Sequence, residues 1–256
     1  MAHRFPYLDA PTPIAFAHRG GAAHGDENTI AAFLRAVSLG YRYLETDVHG
    51  TADGVAVVFH DDTLTRILGR PGRVRDYTLK ELRSERIGGE SVVPTLAEVL
   101  EEFPECRFNI DLKSDPAVEP AIETIWRCNA RDRVLLASFN DRRIRWARRI
   151  CGPRQATALG QREVLALRLG SLHGRGLAGF VPGAAAVQVP PRYAGLPVVD
   201  ARFVAHAHRL GLHVHVWTVD DADQMRELLD LGVDGIMTDH IEVLRDVLKE
   251  RGQWAL

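Results

Sequence analysis

A (β/α)8 TIM barrel with a small insertion after its second barrel strand is the α/β fold this sequence predicts. Three observations point to it. Short apolar runs, each followed by a stretch of helical periodicity, recur along all 256 residues, and eight of them, near residues 14, 42, 107, 133, 154, 185, 212 and 235, are candidate barrel strands. That length suits one barrel, expected to occupy residues 1–256 as a single domain with the insertion at about 50–94. A doubly wound sheet is the competing topology, but it needs a glycine-rich phosphate loop after the first strand, and "HRGGAAHG" (18–25) lacks the G-x-G-x-x-G spacing.

In order, "IAFAH" (14–18) reads as a strand and "ENTIAAFLRAVSLG" (27–40) as a helix starting near Thr29 and stopping at Gly40. "YRYLETDVH" (41–49) and "VAVVFHD" (55–61) read as two strands joined by a turn at Asp53-Gly54. The stretch from Asp62 to Pro94, rich in Arg, Gly and Thr, reads as irregular. Alternation resumes with helix 95–103, strand 107–113, helix 116–129, strand 133–139, helix 141–151 and strand 154–160. A helix near 161–169 then leads through a glycine-rich loop to strand 184–190. The chain closes with helix 200–210, strand 212–219, helix 221–231, short strand 235–239 and helix 240–250.

Composition sets bounds on partners. A net charge of -2 gives no global attraction to nucleic acid or anionic membrane, so an anion site must be local. Cys106, Cys128 and Cys151 form neither a CxxC pair nor a zinc spacing, which fits a reducing compartment better than a disulfide framework. No secretory h-region and no membrane-length apolar run is visible, and a soluble, cytoplasmic protein without stable membrane insertion is expected. The six arginines from Arg142 to Arg154 read as the solvated face of an outer helix that buries Ile144, Ala147 and Cys151.

Side chains alternate along a strand, and a barrel gathers its reactive groups at the C-terminal strand ends. The polar residues there are His18, Arg19, Glu45, Asp47, His60, Asp61, Asp111, Lys113, Ser138 and Gln188, with Trp217 beside them. Glu45-x-Asp47 points two carboxylates to one face, and Asp111-x-Lys113 repeats that spacing on the next barrel strand but for the excursion. Three converging carboxylates need protons or a cation, and an all-oxygen set suits Mg²⁺ or Ca²⁺ better than zinc. Arg19 and Lys113 beside such an ion form a clamp for a phosphate. His18 and His60 are suited to proton transfer near neutral pH.

Taken together, His18-Arg19-Gly20, Glu27-Asn28-Thr29, Glu45-x-Asp47, His60-Asp61 with Leu64-x-Arg66, Pro94-Thr95-Leu96, Asp111-x-Lys113, Trp217-Thr218-Val219 and "GVDGIMTD" resemble the glycerophosphodiester phosphodiesterase family, in order from Phe16 to about Asp239. The resemblance implies a metal-dependent TIM barrel that hydrolyses glycerophosphodiesters to glycerol 3-phosphate and an alcohol. It makes His18 and His60 the acid/base pair, Arg19 a phosphate ligand, and Glu45, Asp47 and Asp111 the ligands of one divalent cation, Mg²⁺ or Ca²⁺. Lys113 would neutralise the phosphate, Glu27 would orient the residues around it, and Trp217 would line the glycerol or alcohol side. Three positions depart from the family's usual residues: Asp26 replaces a common proline, Asp111 a common Glu and Asp220 a frequent Asn. A freer loop, a shorter reach to the ion and a changed pocket rim are the expected consequences.

Simpler readings apply elsewhere. Ser138 and Gln188 are equally well explained by loop or capping hydrogen bonds. His213 and His215 share a face with Trp217, so if Trp217 faces the lumen both lie deeper in the barrel; they are not counted as a metal site, and neither are His206 and His208, which sit two apart on a helix. A lysophospholipid or sphingolipid substrate is the alternative to a soluble glycerophosphodiester, with Leu177, Phe180 and Val181 as its candidate apolar entrance. A barrel that binds phosphate esters without turnover is the non-enzymatic alternative.

Overall fold

The computed structural model describes residues 4–173 and 184–254. From the N-terminus the elements are β1 (Ile14–Ala17), α1 (Ile30–Ser38), β2 (Tyr43–Gly50), β3 (Ala56–Val58), α2 (Thr65–Leu68), α3 (Leu79–Leu82), α4 (Leu96–Glu102), β4 (Arg107–Leu112), α5 (Val118–Arg127), β5 (Val134–Ala137) and α6 (Asp141–Cys151). They continue as β6 (Ala156–Ala158), α7 (Gln161–His173), β7 (Ala184–Val189), β8 (Arg192–Tyr193), β9 (Leu196–Pro197), α8 (Ala201–Arg209), β10 (His213–Val216), α9 (Ala222–Asp230), β11 (Gly235–Thr238) and α10 (Ile241–Glu250). Strands β1, β2, β4, β5, β6, β7, β10 and β11 pair in parallel, and the ring closes because β1 bonds both β11 and β2. This is the predicted eight-stranded barrel.

Period-two alternation sorts the side chains into two cores. Phe16, Tyr43, Leu135, Ala156, Ala158, Ala186 and Met237 fill the lumen, and Phe5, Tyr7 and Leu8 join them, with the Tyr43 hydroxyl donating to the Tyr7 carbonyl (2.6 Å). The opposite parity, including Leu44, Val48, Phe108, Ile110, Leu136, Val214 and Ile236, packs under the helices. Full burial of such side chains supplies about 1.5–3 kcal/mol each, which is why the pattern decides the face each strand presents. Glu45 and Asp47 share the parity of Tyr43, so burying Leu44 and Val48 against the helices turns both carboxylates inward.

Several boundaries differ from the sequence reading. β1 ends at Ala17 rather than His18, because His18–Gly20 form a 3₁₀ turn in which Arg19 takes φ 52°. Gly20 is required there: its φ is +82°, and a Cβ would stand 2.8 Å from the Cβ of Ala32. The excursion after β2 does open as a hairpin, with β3 antiparallel to the end of β2. Its supposedly irregular continuation contains α2 and α3, the latter started by a Thr78–Glu81 capping box, around a small core of Val57, Phe59, Leu64, Val74, Leu82, Ile87 and Val93. Periodicity reasoning misses four-residue helices because they carry barely one turn of pattern. It also missed the β8–β9 hairpin, whose turn residues Ala194 and Gly195 have φ of 48° and 79° but lack the usual Asn-Gly signature.

Helix α6 buries Ile144, Ala147 and Cys151 as expected, yet two of its arginines are structural rather than solvated. Arg143 donates to the Leu112 carbonyl (2.9 Å) and pairs with Asp115, while Arg148 pairs with Glu163 (2.6 Å), tying α6 to its neighbours on both sides. The three cysteines are free thiols. Among the described residues no helix is long and apolar enough to cross a membrane.

Candidate active site

The C-terminal mouth gathers most of the predicted residues. Asp47 lies in register with Asp111, and Glu45 with Asn109, so the three carboxylates come from facing positions on β2 and β4. The ammonium of Lys113, one residue past β4, sits between Asp47 Oδ1 (2.9 Å) and Asp111 Oδ2 (2.6 Å). Arg19 reaches the same cluster twice: its Nε pairs with Asp47 Oδ2 (3.2 Å), and its backbone N–H donates to Glu45 Oε2 (3.1 Å). The left-handed backbone of Arg19 is what lets main chain and side chain face one cluster. Asn28, also at positive φ, donates to Asp47 Oδ2 (3.0 Å) and accepts from the Thr46 hydroxyl (2.7 Å).

Electrostatics follow from burial and pairing. Burial and the adjacent Asp47 charge push the Glu45 carboxyl up, with His18, Lys113 and Arg19 pulling against them. Asp47 goes the other way: burial opposes its charge, but Lys113 and Arg19 outweigh it and hold the carboxyl well below the usual range. Burial disfavours a charged His18, yet Glu45 and the hydrogen bond to Asp239 prevail and raise it above an ordinary imidazole.

Each catalytic-candidate imidazole has its own carboxylate at Nδ1. For His18 it is Asp239 Oδ1 at 2.6 Å, and for His60 it is Asp61 Oδ1 at 2.6 Å. The His18 Nε2 faces Glu45 Oε2 at 3.7 Å. Glu27 does not touch the carboxylate cluster directly; it accepts from Arg19 Nη1 (3.1 Å) and from both terminal nitrogens of Arg66 (2.7 and 2.8 Å). Arg66, on α2 of the insertion, also grips Asp61 through Nε (2.7 Å) and Nη2 (2.8 Å). One guanidinium thereby links the partner of His60 to the partner of Arg19.

This latch makes a prediction. Arg66→Ala is expected to cut turnover about tenfold through loosened support of His60 and Arg19. The stability loss should stay near ~1 kcal/mol, because the Arg66 side chain is 48% exposed and solvent screens it. Hydrogen bonds from Arg66, against the effect of burial, push Asp61 down to about 2. A depressed carboxyl contributes fully above its unfolded value of about 4 and loses that contribution as pH falls through the folded one, so the wild-type advantage over Arg66→Ala should shrink in acid melts.

The remaining candidates divide. Trp217 is half-buried against the lumen core and meets Phe139 edge to face, centroids 5.3 Å apart, with Lys113 Nζ 5.5 Å from the Phe139 ring. Ser138 is a loop residue: its hydroxyl donates to the Leu112 carbonyl (2.8 Å) and accepts from Arg143. Gln188 lies below the mouth, donating to Asn109 Oδ1 (2.8 Å) beside a fully buried His215 that burial and His213 hold neutral. With Trp217 facing the lumen, both histidines do lie deeper. His206 is buried next to Arg209, whereas His208 is outside, paired with Asp234 (2.7 Å). Leu177, Phe180 and Val181 lie outside the described residues.

Two departures from the family pattern acquire a structural meaning. Asp26 forms a two-pronged pair with Arg35 (2.7 and 2.8 Å), and Arg35 also donates to the Gly21 carbonyl (3.2 Å). The loop expected to be freer for want of a proline is tied by this pair instead. Asp220 accepts from the Thr238 hydroxyl (2.9 Å) and the Asp239 N–H (2.8 Å), so its carboxylate fixes the segment that carries Asp239.

Whether the carboxylates fit a divalent ion can be judged from what they lack. Among the described residues no three His, Cys, Asp or Glu side chains already form a ligand cage. The cluster is nevertheless short of positive partners: Asp111 Oδ1 is buried with no hydrogen-bond partner, and Glu45 is pushed toward its protonated form. An orphaned anionic oxygen beside two more buried carboxylates fits a hard, oxygen-seeking cation.

Asn28, Arg66 and Asp239 stand in the motifs of the family resemblance without an assigned role, and Phe139 stands in none of them. Asp239 ends a barrel strand and the strand-end rule could have found it. Arg66 stands in the quoted Leu64-x-Arg66 motif, but its part at the site emerges only from the two carboxylates it bridges.

Comparison with known proteins agrees with this geometry. The sequence model of the glycerophosphoryl diester phosphodiesterase family matches residues 18–243. A Mycobacterium tuberculosis protein named "Probable glycerophosphodiester phosphodiesterase 2" is 43% identical over 244 residues, 94% of this chain and 92% of its own. The glycerophosphodiester phosphodiesterase of Caldanaerobacter subterraneus is 32% identical over 254 residues, 93% and 99% of the two chains. The crystal structure of a glycerophosphodiester phosphodiesterase from Parabacteroides distasonis superposes with a TM-score of 0.76 at 26% identity, covering 95% of this chain and 100% of that one. The family match takes in every site residue from His18 to Asp239, and the chain belongs to the glycerophosphoryl diester phosphodiesterase family.

Proposed function

We propose that this enzyme hydrolyses soluble glycerophosphodiesters, such as glycerophosphocholine or glycerophosphoethanolamine, to glycerol 3-phosphate and an alcohol, with His18 and His60 as the proton-transfer pair. The observation that carries this reading is the matched anchoring of the two imidazoles, each held at Nδ1 by a carboxylate 2.6 Å away, at the rim of a buried acidic cluster. Engaging Nδ1 leaves Nε2 as the atom that exchanges a proton with the reacting groups. One ring takes the proton of the attacking oxygen, and the other returns one to the departing alkoxide.

Arg19 and Lys113 are the phosphate-facing cations, held in place before substrate arrives by Glu27, Asp47 and Asp111. Preset donors stabilise charge developing on phosphoryl oxygens without reorganising. Glu45, Asp47 and Asp111 would hold one divalent cation, Mg²⁺ or Ca²⁺, which when bound polarises a phosphoryl oxygen. Trp217 with Phe139 forms an apolar wall suited to the glycerol or alcohol carbons.

The test is a substrate panel run in Mg²⁺, in Ca²⁺ and in chelator, reading glycerol 3-phosphate. Release should require a divalent ion and should be lost in chelator. No release in any condition overturns the activity, and undiminished release in chelator overturns the cation. Lysophosphatidylcholine assayed beside glycerophosphocholine decides the substrate class, and a preference for the lipid overturns the soluble-substrate assignment.

A further inference from the structure

His18 and Asp239 are 221 positions apart, yet the barrel brings them together by register. Strand β1 pairs with β11 so that Ala17 lies opposite Thr238, and the residue that follows each strand is His18 or Asp239. Asp239 is itself fixed: its N–H donates to Asp220 Oδ1 (2.8 Å), and the Thr238 hydroxyl donates to the same oxygen (2.9 Å) while accepting from the His240 N–H (3.0 Å). An ionised carboxylate only accepts hydrogen bonds, so a ring nitrogen 2.6 Å from Asp239 Oδ1 carries a proton. The opposite nitrogen is then the one that faces Glu45, 3.7 Å away.

We propose that Asp239, seated by Asp220, is a positioning residue that keeps a proton on His18 Nδ1 and so reserves Nε2 for the reaction. This rests on the reading of His18 as a proton-transfer residue. The device differs from that of His60, whose carboxylate is its own chain neighbour and is braced by the insertion. The Nδ1 side of His18 is braced instead from the segments that follow β10 and β11, through Asp220 and Asp239. Asp220 takes part where the family frequently has Asn, and Asn could serve equally, since its side-chain oxygen offers the same two acceptor sites.

The test pairs kinetics with a spectroscopic readout that needs no cation and no turnover. Side-chain ¹⁵N NMR of the metal-free protein, at a pH where His18 is neutral and with His18→Gln as the assignment control, reports which ring nitrogen bears the proton. Wild type should show Nδ1–H. Asp239→Ala should shift His18 toward Nε2–H and lower kcat about 10–100-fold with KM nearly unchanged. Asp220→Asn should match wild type in both readouts, and Asp220→Ala should fall between.

An unchanged tautomer in Asp239→Ala overturns the proposal even if kcat falls, because Asp239 would then act through packing alone. An unchanged kcat beside a switched tautomer overturns it as well. If wild type released no glycerol 3-phosphate at all, the catalytic reading would fail, while the tautomer of His18 would still decide what Asp239 does to the ring.

Discussion

His60→Ala is expected to reduce kcat for glycerol 3-phosphate release by about 10²–10⁴-fold, the usual contribution of a positioned acid or base, while KM and the melting temperature stay near wild type. The surroundings of this side chain allow the proposed chemical role to be told apart from a structural one. Its side chain is 30% exposed, so truncation leaves no buried cavity. The contact that anchors this stretch is made by its backbone: the carbonyl of His60 lies 3.1 Å from His49 Nε2, and alanine retains it. Asp61 keeps its grip on Arg66 in the variant, so the latch between insertion and barrel survives. Steady-state kinetics beside a thermal melt is the check. An unaltered kcat would remove His60 from the mechanism, and a large drop in melting temperature would show that its side chain holds the fold.

Asp47→Asn should act on two properties at once. Asp47 is 1% exposed and meets Lys113, Arg19 and Asn28, so its charge compensates two cations in the driest part of the mouth. Asparagine keeps the shape and loses the charge. Lys113 retains Asp111 and Arg19 retains Glu27, so the expected loss is about 2–3 kcal/mol, below the ~3–5 kcal/mol of a fully orphaned buried charge. Denaturant unfolding in chelator measures it. Titration calorimetry should show Mg²⁺ or Ca²⁺ binding to wild type and none to the variant.

The pH dependence has a definite sign. Although burial opposes the charge, Lys113 and Arg19 depress the Asp47 carboxyl, so its contribution is complete above the unfolded value of about 4 and is lost as pH falls through the lower folded value. The stability gap between wild type and Asp47→Asn should therefore be widest near neutrality and close in acid. A gap that widened on acidification, or an intact cation affinity in the variant, would overturn the assignment of Asp47.

Much of this molecule is written locally. Alternation along "YLETDVHG" faces Leu44 and Val48 toward the helices, so Glu45 and Asp47 had to face the lumen, and the same parity placed Asp111 and Trp217. Eight repetitions of strand and helix then leave closure as the arrangement that buries both faces of every strand. Those features depend on period and polarity within a few residues, which a single chain displays directly.

Tertiary structure decided what those side chains touch. That Asp26 is tied by Arg35, that Arg66 joins Asp61 to Glu27, and that His18 finds Asp239 are outcomes of turn conformation and strand register. The physical reason is range: a hydrogen bond is made or lost over a few tenths of an ångström, whereas a sequence pattern specifies only the face a residue occupies. The opening strand of this chain determines by itself that His18 and Arg19 emerge at the mouth, and only the closed barrel, by laying β11 alongside β1, determines which carboxylate holds His18 there.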